Sequence, residues 1–582
     1  MSSEEGSPTV VHTEMRSRRT RMSPEPEAIG EDAPAVVVEE AEELLGNDEA
    51  PEQSTTPVGR VYAFYERLST TFSWRYVAIV SLVYGVNQGV GEACLFTAQK
   101  YYLFDYLKLT PARYSKVDGF ANIPWQVKAL YGMVSDSFSI YGLRKTPYII
   151  LASIGGIVSA ASLWLARLDY QTAAALLLIA NLSIASPDVM IDGTTAENSR
   201  KFPKLAADLQ TLSWASLYGC AMVANLAVGE LVKPSSIGAR GVFGLLWLTS
   251  LAALLPACLG WLGERPATVI HEASSDRKRV FACAFATCAV SVAVGSLQAF
   301  STFSDVVQGV STIILGVVLA TTIHFLLKPV SKDLAGAAVY IFLSGALQPA
   351  TDVMFAWFHS DGKAHGNCAT HCPPGNEDCG WASERHYPCI SPEYYSAMRA
   401  TARLFGLAGI VLYNAYLSDW SYRNVFVLGH CVTFGANLLD FVWVSRWNIS
   451  LGIDDRAFLL GLDVVQPVVS KIANMPSYVL AAKVCPAGVE ATLFALLMGL
   501  SNFGSTIGLY NGVFLLSAFG GVEQPEFRHL PAFVLMRTVF YLAPVALVFI
   551  FVPRGRPSDA IEEEDVASKE IELTPVADAA AV

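Results

Sequence analysis

Hydrophobic positions in this 582-residue chain gather into long runs rather than alternating with polar ones. A run of roughly 20 residues makes a helix long enough to cross a ~30 Å hydrocarbon layer. Fourteen such spans are predicted: six near 76–98, 115–135, 147–167, 170–193, 207–232 and 241–263, a pair near 280–302 and 309–328, and six near 337–358, 396–418, 424–444, 457–483, 489–518 and 531–552. A phrase recurs within this pattern. Leu130-Tyr131-Gly132-Met133-Val134-Ser135-Asp136 returns, 282 residues on, as Leu412-Tyr413-Asn414-Ala415-Tyr416-Leu417-Ser418-Asp419. Each copy ends an apolar run with Ser-Asp and meets a base soon after, Arg144 and Lys145 in one case and Arg423 in the other. The expected fold is therefore an all-α polytopic membrane protein of two related six-helix bundles, with about 12–14 transmembrane helices. Many secondary transporters are built this way, with the solute held between the halves.

Composition agrees and adds the tails. Hydrophobic residues make up 53% of the chain and charged ones 16%, well away from a soluble average. The net charge of −12 sits at the ends: residues 1–59 hold 14 acids against 4 bases, and residues 553–582 hold 8 against 3. Both tails are predicted to be disordered and cytoplasmic. Between them the expected domains are a first bundle at 60–265, a linker with an extra helix pair at 266–335, and a second bundle at 336–552. The first apolar run begins near Tyr76, so that span is expected to serve as the targeting signal. With the N-terminus inside, early inner loops carry 12 Lys or Arg against 6 in the outer loops, the bias that sets orientation. The loop at 359–395 then faces outward, where Cys368, Cys372, Cys379 and Cys389 can form disulfides of undetermined pairing. A zinc site using His365, His371 or His386 is the competing reading.

An ionised side chain at the bilayer centre costs at least ~2.5–3.5 kcal/mol, so charges inside spans are the candidate chemistry. Asp188 and Asp192 lie four apart on one helix face, where paired carboxylates in low dielectric suit proton uptake and release. Glu197 and Arg200 extend that polar stretch. Glu92 and Asp352 occupy the first and ninth spans, equivalent helices in the two-bundle scheme, and are expected to line the cavity. Lys128, Arg399, Arg403 and Lys471 are the intramembrane bases, with Arg403 and Lys471 favoured for an anionic substrate group. The competing reading makes all of these structural ion pairs, or residues that snorkel from a membrane edge. Gly132 and Asp136, followed by Arg144, are expected to form a clasp that holds one access state.

Several of these residues resemble a known family. Gly132-x-x-x-Asp136 followed by Arg-Lys is similar to the loop signature of the major facilitator superfamily, with a longer gap. The longer phrase from Pro124-Trp125 through Lys128, Ile140-Tyr141-Gly142, Arg144-Lys145 and Pro147-Tyr148 resembles the folate–biopterin transporter family. So do Asp188-Val-Met-Ile-Asp192 with Glu197, Ala207-Asp208-Leu209-Gln210 with Trp214, Leu451-Gly452-Ile453 with Asp455-Arg456, and Cys485-Pro486 through Met498. The resemblance spans roughly residues 76–518. It implies an importer of folate, biopterin or a related pteridine working by alternating access and coupled to protons. On matching positions it implies functional roles for Asp188, Asp192, Glu197, Asp208 and Glu490; Asp208 and Glu490 are also 282 apart. The cysteine loop and Gly193-Thr194-Thr195-Ala196 depart from the family pattern. Alternatives are a carrier of S-adenosylmethionine or another metabolite, and a transport-inactive sensor. No cofactor, metal, nucleic acid or enzymatic activity is expected, and the protein is expected to be a monomer in the plasma membrane.

Overall fold

In the computed structural model the described residues are 57–202, 205–264, 275–364, 388, 390–417, 420–483, 490–520, 527 and 529–556. The tails, the four cysteines of the long loop and Asp419 lie outside them, as do the side chains of Asp136, Arg200 and Glu490. Met1–Trp74 forms one unit, containing helix α1 (Pro57–Phe72), and Arg75–Val582 forms another.

Among its described residues the larger unit has helices and no named strand, and the helices group into fourteen passages in chain order. The first six are α2 (Trp74–Tyr106), a broken passage of α3 (Pro111–Ala121), α4 (Ile123–Gln126) and α5 (Lys128–Ser137), then α6 (Thr146–Leu165), α7 (Tyr170–Lys201), α8 (Ala206–Leu231) and α9 (Gly238–Cys258). The extra pair is α10 (Ser275–Phe300) and α11 (Asp305–Leu327). The second six are α12 (Lys332–Ala346) with α13 (Val353–Ala364), then α14 (Pro392–Tyr416), α15 (Tyr422–Val444) leading through the short α16 (Trp447–Ser450), α17 (Asp455–Lys483), α18 (Glu490–Phe519), and α19 (Leu530–Phe540) with α20 (Ala543–Phe551). Among the described residues, ten helices are long and apolar enough to cross a membrane by themselves. Apolar side chains point outward along them, as Ile313, Ile314, Val317 and Val318 do on α11, which is the surface a lipid solvent requires.

Two predicted spans, 115–135 and 337–358, differ from expectation because they are broken, the first at Asn122 and Val127 on either side of the short α4 that holds Pro124, the second at Leu347–Asp352 around Pro349. Proline removes a backbone donor, and freed backbone groups inside a membrane need other partners. Helix α18 supplies them in both places. Asn502 Nδ2 donates to the Trp125 carbonyl at 2.9 Å, Asn511 Nδ2 to the Ala346 carbonyl at 2.9 Å, and the Ala350 N–H to the Gly508 carbonyl at 3.1 Å. Glycine makes these approaches possible. A Cβ on Gly499 would lie 2.6 Å from the Gln126 carbonyl oxygen, one on Gly508 2.5 Å from that of Gln348, and one on Gly512 would collide with that of Ala350. Gly512→Leu is accordingly expected to cost at least the ~1–3 kcal/mol typical of overpacking. Thermal unfolding of the purified protein should show the loss, and an unchanged midpoint would refute the strut role of α18.

The bundles meet along two seams: α8 packs on α14, and α18 packs on α3, α4 and α5. These pair the second passage of one bundle with the fifth of the other, as a two-fold repeat demands. The extra pair wedges beside the second seam, α10 against α3–α5 and α11 against α18 and α12. At the end where α2 finishes and α14 begins, the bundles are pinned by Lys100–Asp352 at 2.6 Å and by Lys233–Glu393. Tyr101 and Phe104 of α2 pack edge-on or tilted against Phe355 there, with ring centroids 5.7 and 5.6 Å apart.

Candidate functional site

The inner turns of α2 set the first group of side chains. Leu82–Val90 is π-helical, a wide coil that brings residues four apart nearly into line and that recurs at functional sites. Gly85 and Gly89 let this coil lie against α8: a Cβ on Gly89 would sit 2.7 Å from the Leu217 carbonyl oxygen. Tyr84, Gln88 and Glu92 therefore face α7 and the interior. Tyr84 donates its hydroxyl to Asp192, and Gln88 Nε2 donates to Glu92 Oε1 at 3.1 Å.

Asp188 and Asp192 have different surroundings despite sharing a helix face. Asp188 follows Pro187, is buried, and accepts from Lys128 Nζ at 2.5 Å. Lys128 also stands 4.8 Å over the Trp125 ring, whose Nε1 donates to Asn181 at 3.0 Å. Asp192 is exposed in mid-helix, and its hydrogen-bond partner among the described residues is the neutral Tyr84 hydroxyl.

The second bundle contributes the bases. Arg403 Nη2 on α14 lies 3.5 Å from Glu92 Oε2, an ion pair that crosses between bundles. Arg403 and Lys471 both stand beside the Tyr218 ring of α8, at 5.9 and 5.6 Å from its centroid. Lys471 lies between Pro467 and Pro476 on α17, against Gly409, whose Cβ would press on it at 2.9 Å. Arg399, one turn before Arg403, is exposed. Between α2, the broken α3–α5 passage and α18 is a cavity of about 430 Å³, lined by Glu92, Phe96, Asp118, Trp125, Asn502 and Thr506 among others; of the groups above, Glu92 reaches it.

Not every singled-out residue lies there. Asp352 sits in the α12–α13 break and engages Lys100 at the pinned end, away from the depth occupied by Glu92. Gly132 has Val189 Cγ1 3.9 Å from an added Cβ, so this arrangement has room for alanine. In the loop after α5, Lys145 Nζ pairs with Glu197, and Glu264 accepts the backbone N–H groups of Arg144, Lys145 and Thr146 at 2.5, 2.9 and 2.9 Å. A carboxylate capping the start of α6 suits the positive end of the helix dipole. Asp208 is half-buried in the first turn of α8. Sequence reading passed over Glu264 and Asp118. Asp118 carries a signal, an acid within a predicted span; Glu264 sits in a loop and carries none.

Chemically, the two bundles meet inside at an acid–base contact, Glu92 of the first against Arg403 of the second, with Lys471 beside it and a cavity next to Glu92. That architecture defines an integral, multi-pass membrane transporter of the major-facilitator type. A family model described as the BT1 family matches residues 88–571, and the chain belongs to that family. It is similar to probable folate-biopterin transporter 6 of Arabidopsis thaliana, 28% identical over 87% of this chain and 88% of the relative. The folate-biopterin transporter of Synechocystis sp. is 26% identical over 88% of each. Folate transporter 2 of Plasmodium falciparum is 22% identical over 80% of this chain and 86% of its own. Among solved structures, a POT family transporter in complex with a thioalcohol-conjugated peptide superposes with a TM-score of 0.56 at 11% identity, covering 82% of this chain and 95% of that one. The likeness is one of fold.

Proposed function

We propose that this protein carries a folate- or pterin-class solute across the membrane by alternating access, driven by protons. The relatives' names support the solute class, and the observation that carries the reading is the Arg403–Glu92 pair with Lys471 beside it. Arg403 and Lys471 suit the carboxylates of an anionic solute, Arg in bidentate fashion. Glu92 holds Arg403 when the site is empty. Protonating Glu92 removes that competitor and frees the guanidinium, so proton and anion loading favour each other. Asp192, exposed and bonded to a neutral donor, is the second proton acceptor, one turn from the Asp188–Lys128 pair.

The pins at Lys100 and Lys233 then hold the outer end shut, and the inner end admits water to Asp192. With the N-terminus inside, both tails are cytoplasmic, and a plasma-membrane monomer that moves solute inward is the working arrangement.

Uptake of labelled folate, biopterin and S-adenosylmethionine into proteoliposomes, with and without a pH gradient, tests the reading. Folate or biopterin uptake that rises as the outer medium is acidified is expected; uptake of S-adenosylmethionine alone overturns it. Asp192→Asn keeps an acceptor for Tyr84 but cannot titrate. Its uptake should persist without a gradient and lose the acid stimulation, and full stimulation in this variant would remove Asp192 from the coupling.

A further inference from the structure

One carboxylate in the cavity wall makes no direct ion pair, and the Lys100 charge acts on it only through space. Glu92 has Arg403, Asp188 has Lys128, Asp352 has Lys100, and Asp440 has Arg537. Asp118 of α3 makes no ion pair among the described residues, although it is half-buried deep in the helical unit. Two amides hold it: Gln99 Nε2 and Asn122 Nδ2 donate to Oδ1 at 2.8 and 3.2 Å. Its Oδ2 accepts no hydrogen bond from the described residues. A carboxylate offers about four lone-pair sites, and here half are left over.

The neighbouring amides sharpen the picture. Gln126 is consumed by the scaffold: Nε2 donates to Thr506 Oγ1 at 2.9 Å and to the Gly119 carbonyl at 3.1 Å, and Oε1 accepts from Ser291 at 2.5 Å. Asn122 and Asn502 likewise spend their NH₂ groups on the broken backbone, at the carbonyls of Asp118 and Trp125. Their carbonyl oxygens remain. This wall is therefore short of donors and rich in acceptors, and it asks for a ligand edge made of N–H groups. Phe96 and Trp125 line the same cavity and put aromatic rings where a flat ligand would lie.

We propose that Asp118 is a specificity-determining residue that reads the amino edge of a pteridine, the adjacent ring N–H and 2-amino group, while Phe96 and Trp125 contact the ring faces. This rests on the folate–pterin reading above. It places the ring at the Asp118 end of the cavity and the anionic part of the solute toward Arg403 and Lys471, with Glu92 between.

A lumazine tests this directly, since it carries a carbonyl where a pterin carries the 2-amino group. Competition against labelled biopterin uptake in proteoliposomes should favour the pterin over the matching lumazine by about 10- to 100-fold, the range for losing a hydrogen bond to a charged group and leaving an acceptor unpaired. Asp118→Asn can donate to that carbonyl, so the preference should collapse toward one. Gln99→Ala keeps the carboxylate but loosens it, and should narrow the preference several-fold. An undiminished preference in Asp118→Asn overturns the assignment, and so does a wild-type ratio near one, which decides the matter if the variant fails to fold. Wild-type protein that takes up neither biopterin nor folate overturns the substrate reading itself, and the ring assignment with it.

Discussion

Arg403→Ala is expected to reduce solute uptake by at least two orders of magnitude at subsaturating concentration. Two losses add. The solute carboxylate loses a guanidinium partner, and truncating one member of a buried, hydrogen-bonded charge pair costs about 2–5 kcal/mol, a factor of roughly 30 to several thousand. Glu92 then loses the cation at 3.5 Å and remains in the wall as an uncompensated negative charge facing an anionic solute. Arg403→Lys keeps the charge without the planar fork and should fall between wild type and alanine. Combining Arg403→Ala with Glu92→Gln removes the stranded carboxylate, so it should recover part of the loss but not the part owed to direct recognition. Initial uptake rates, normalised to protein in the membrane, read all three variants. Uptake by Arg403→Ala within threefold of wild type would show that the solute anion binds elsewhere.

The passages are legible in the sequence because a lipid-facing helix needs no partner to declare itself. The 3.6-residue coil satisfies its own backbone, and length with apolarity decides the rest. The repeat is legible too: its two copies end α5 and α14, the second passage of each bundle. The breaks are not legible, although Pro124 and Pro349 stand in plain view. Whether proline kinks a helix or ends it depends on what receives the freed carbonyls, and here the receivers are Asn502 and Asn511 on a helix far along the chain. The same non-locality governs the charges. Sequence position groups Asp352 with Glu92, but the α12–α13 break carries Asp352 to Lys100. Spacing makes Asp188 and Asp192 twins, and neighbours on other helices separate them, a lysine for one and a tyrosine for the other. Which residues are charged inside the membrane is a sequence property. Which of them are neutralised is a property of the packing, and that difference leaves Asp118 and Asp192 without a direct ion pair among the described residues.

Arg537→Ala is expected to be strongly destabilising in the second bundle. Arg537 Nη2 of α19 donates to Asp440 Oδ2 of α15 at 2.7 Å, and Gln466 of α17 donates to the other carboxylate oxygen at 2.8 Å. Both charged side chains are about nine-tenths buried, with relative exposures of 8% and 10%. Three helices thus converge on one carboxylate. The pair itself need add little net stability, because the Coulomb gain is offset by the desolvation of both ions. Removing one member is different: the survivor stays buried without a counterion, and such losses run to about 3–5 kcal/mol. A drop of roughly 3–5 °C in the unfolding midpoint of the purified protein is the expected scale for a chain of this length. The double variant Asp440→Ala with Arg537→Ala removes the stranded charge as well as the attraction, so it should be more stable than Arg537→Ala alone. Packing loss would instead make the double variant worse than either single one. The order of the three midpoints therefore distinguishes an electrostatic lock from a filled space, and a double variant below both single variants would rule the lock out.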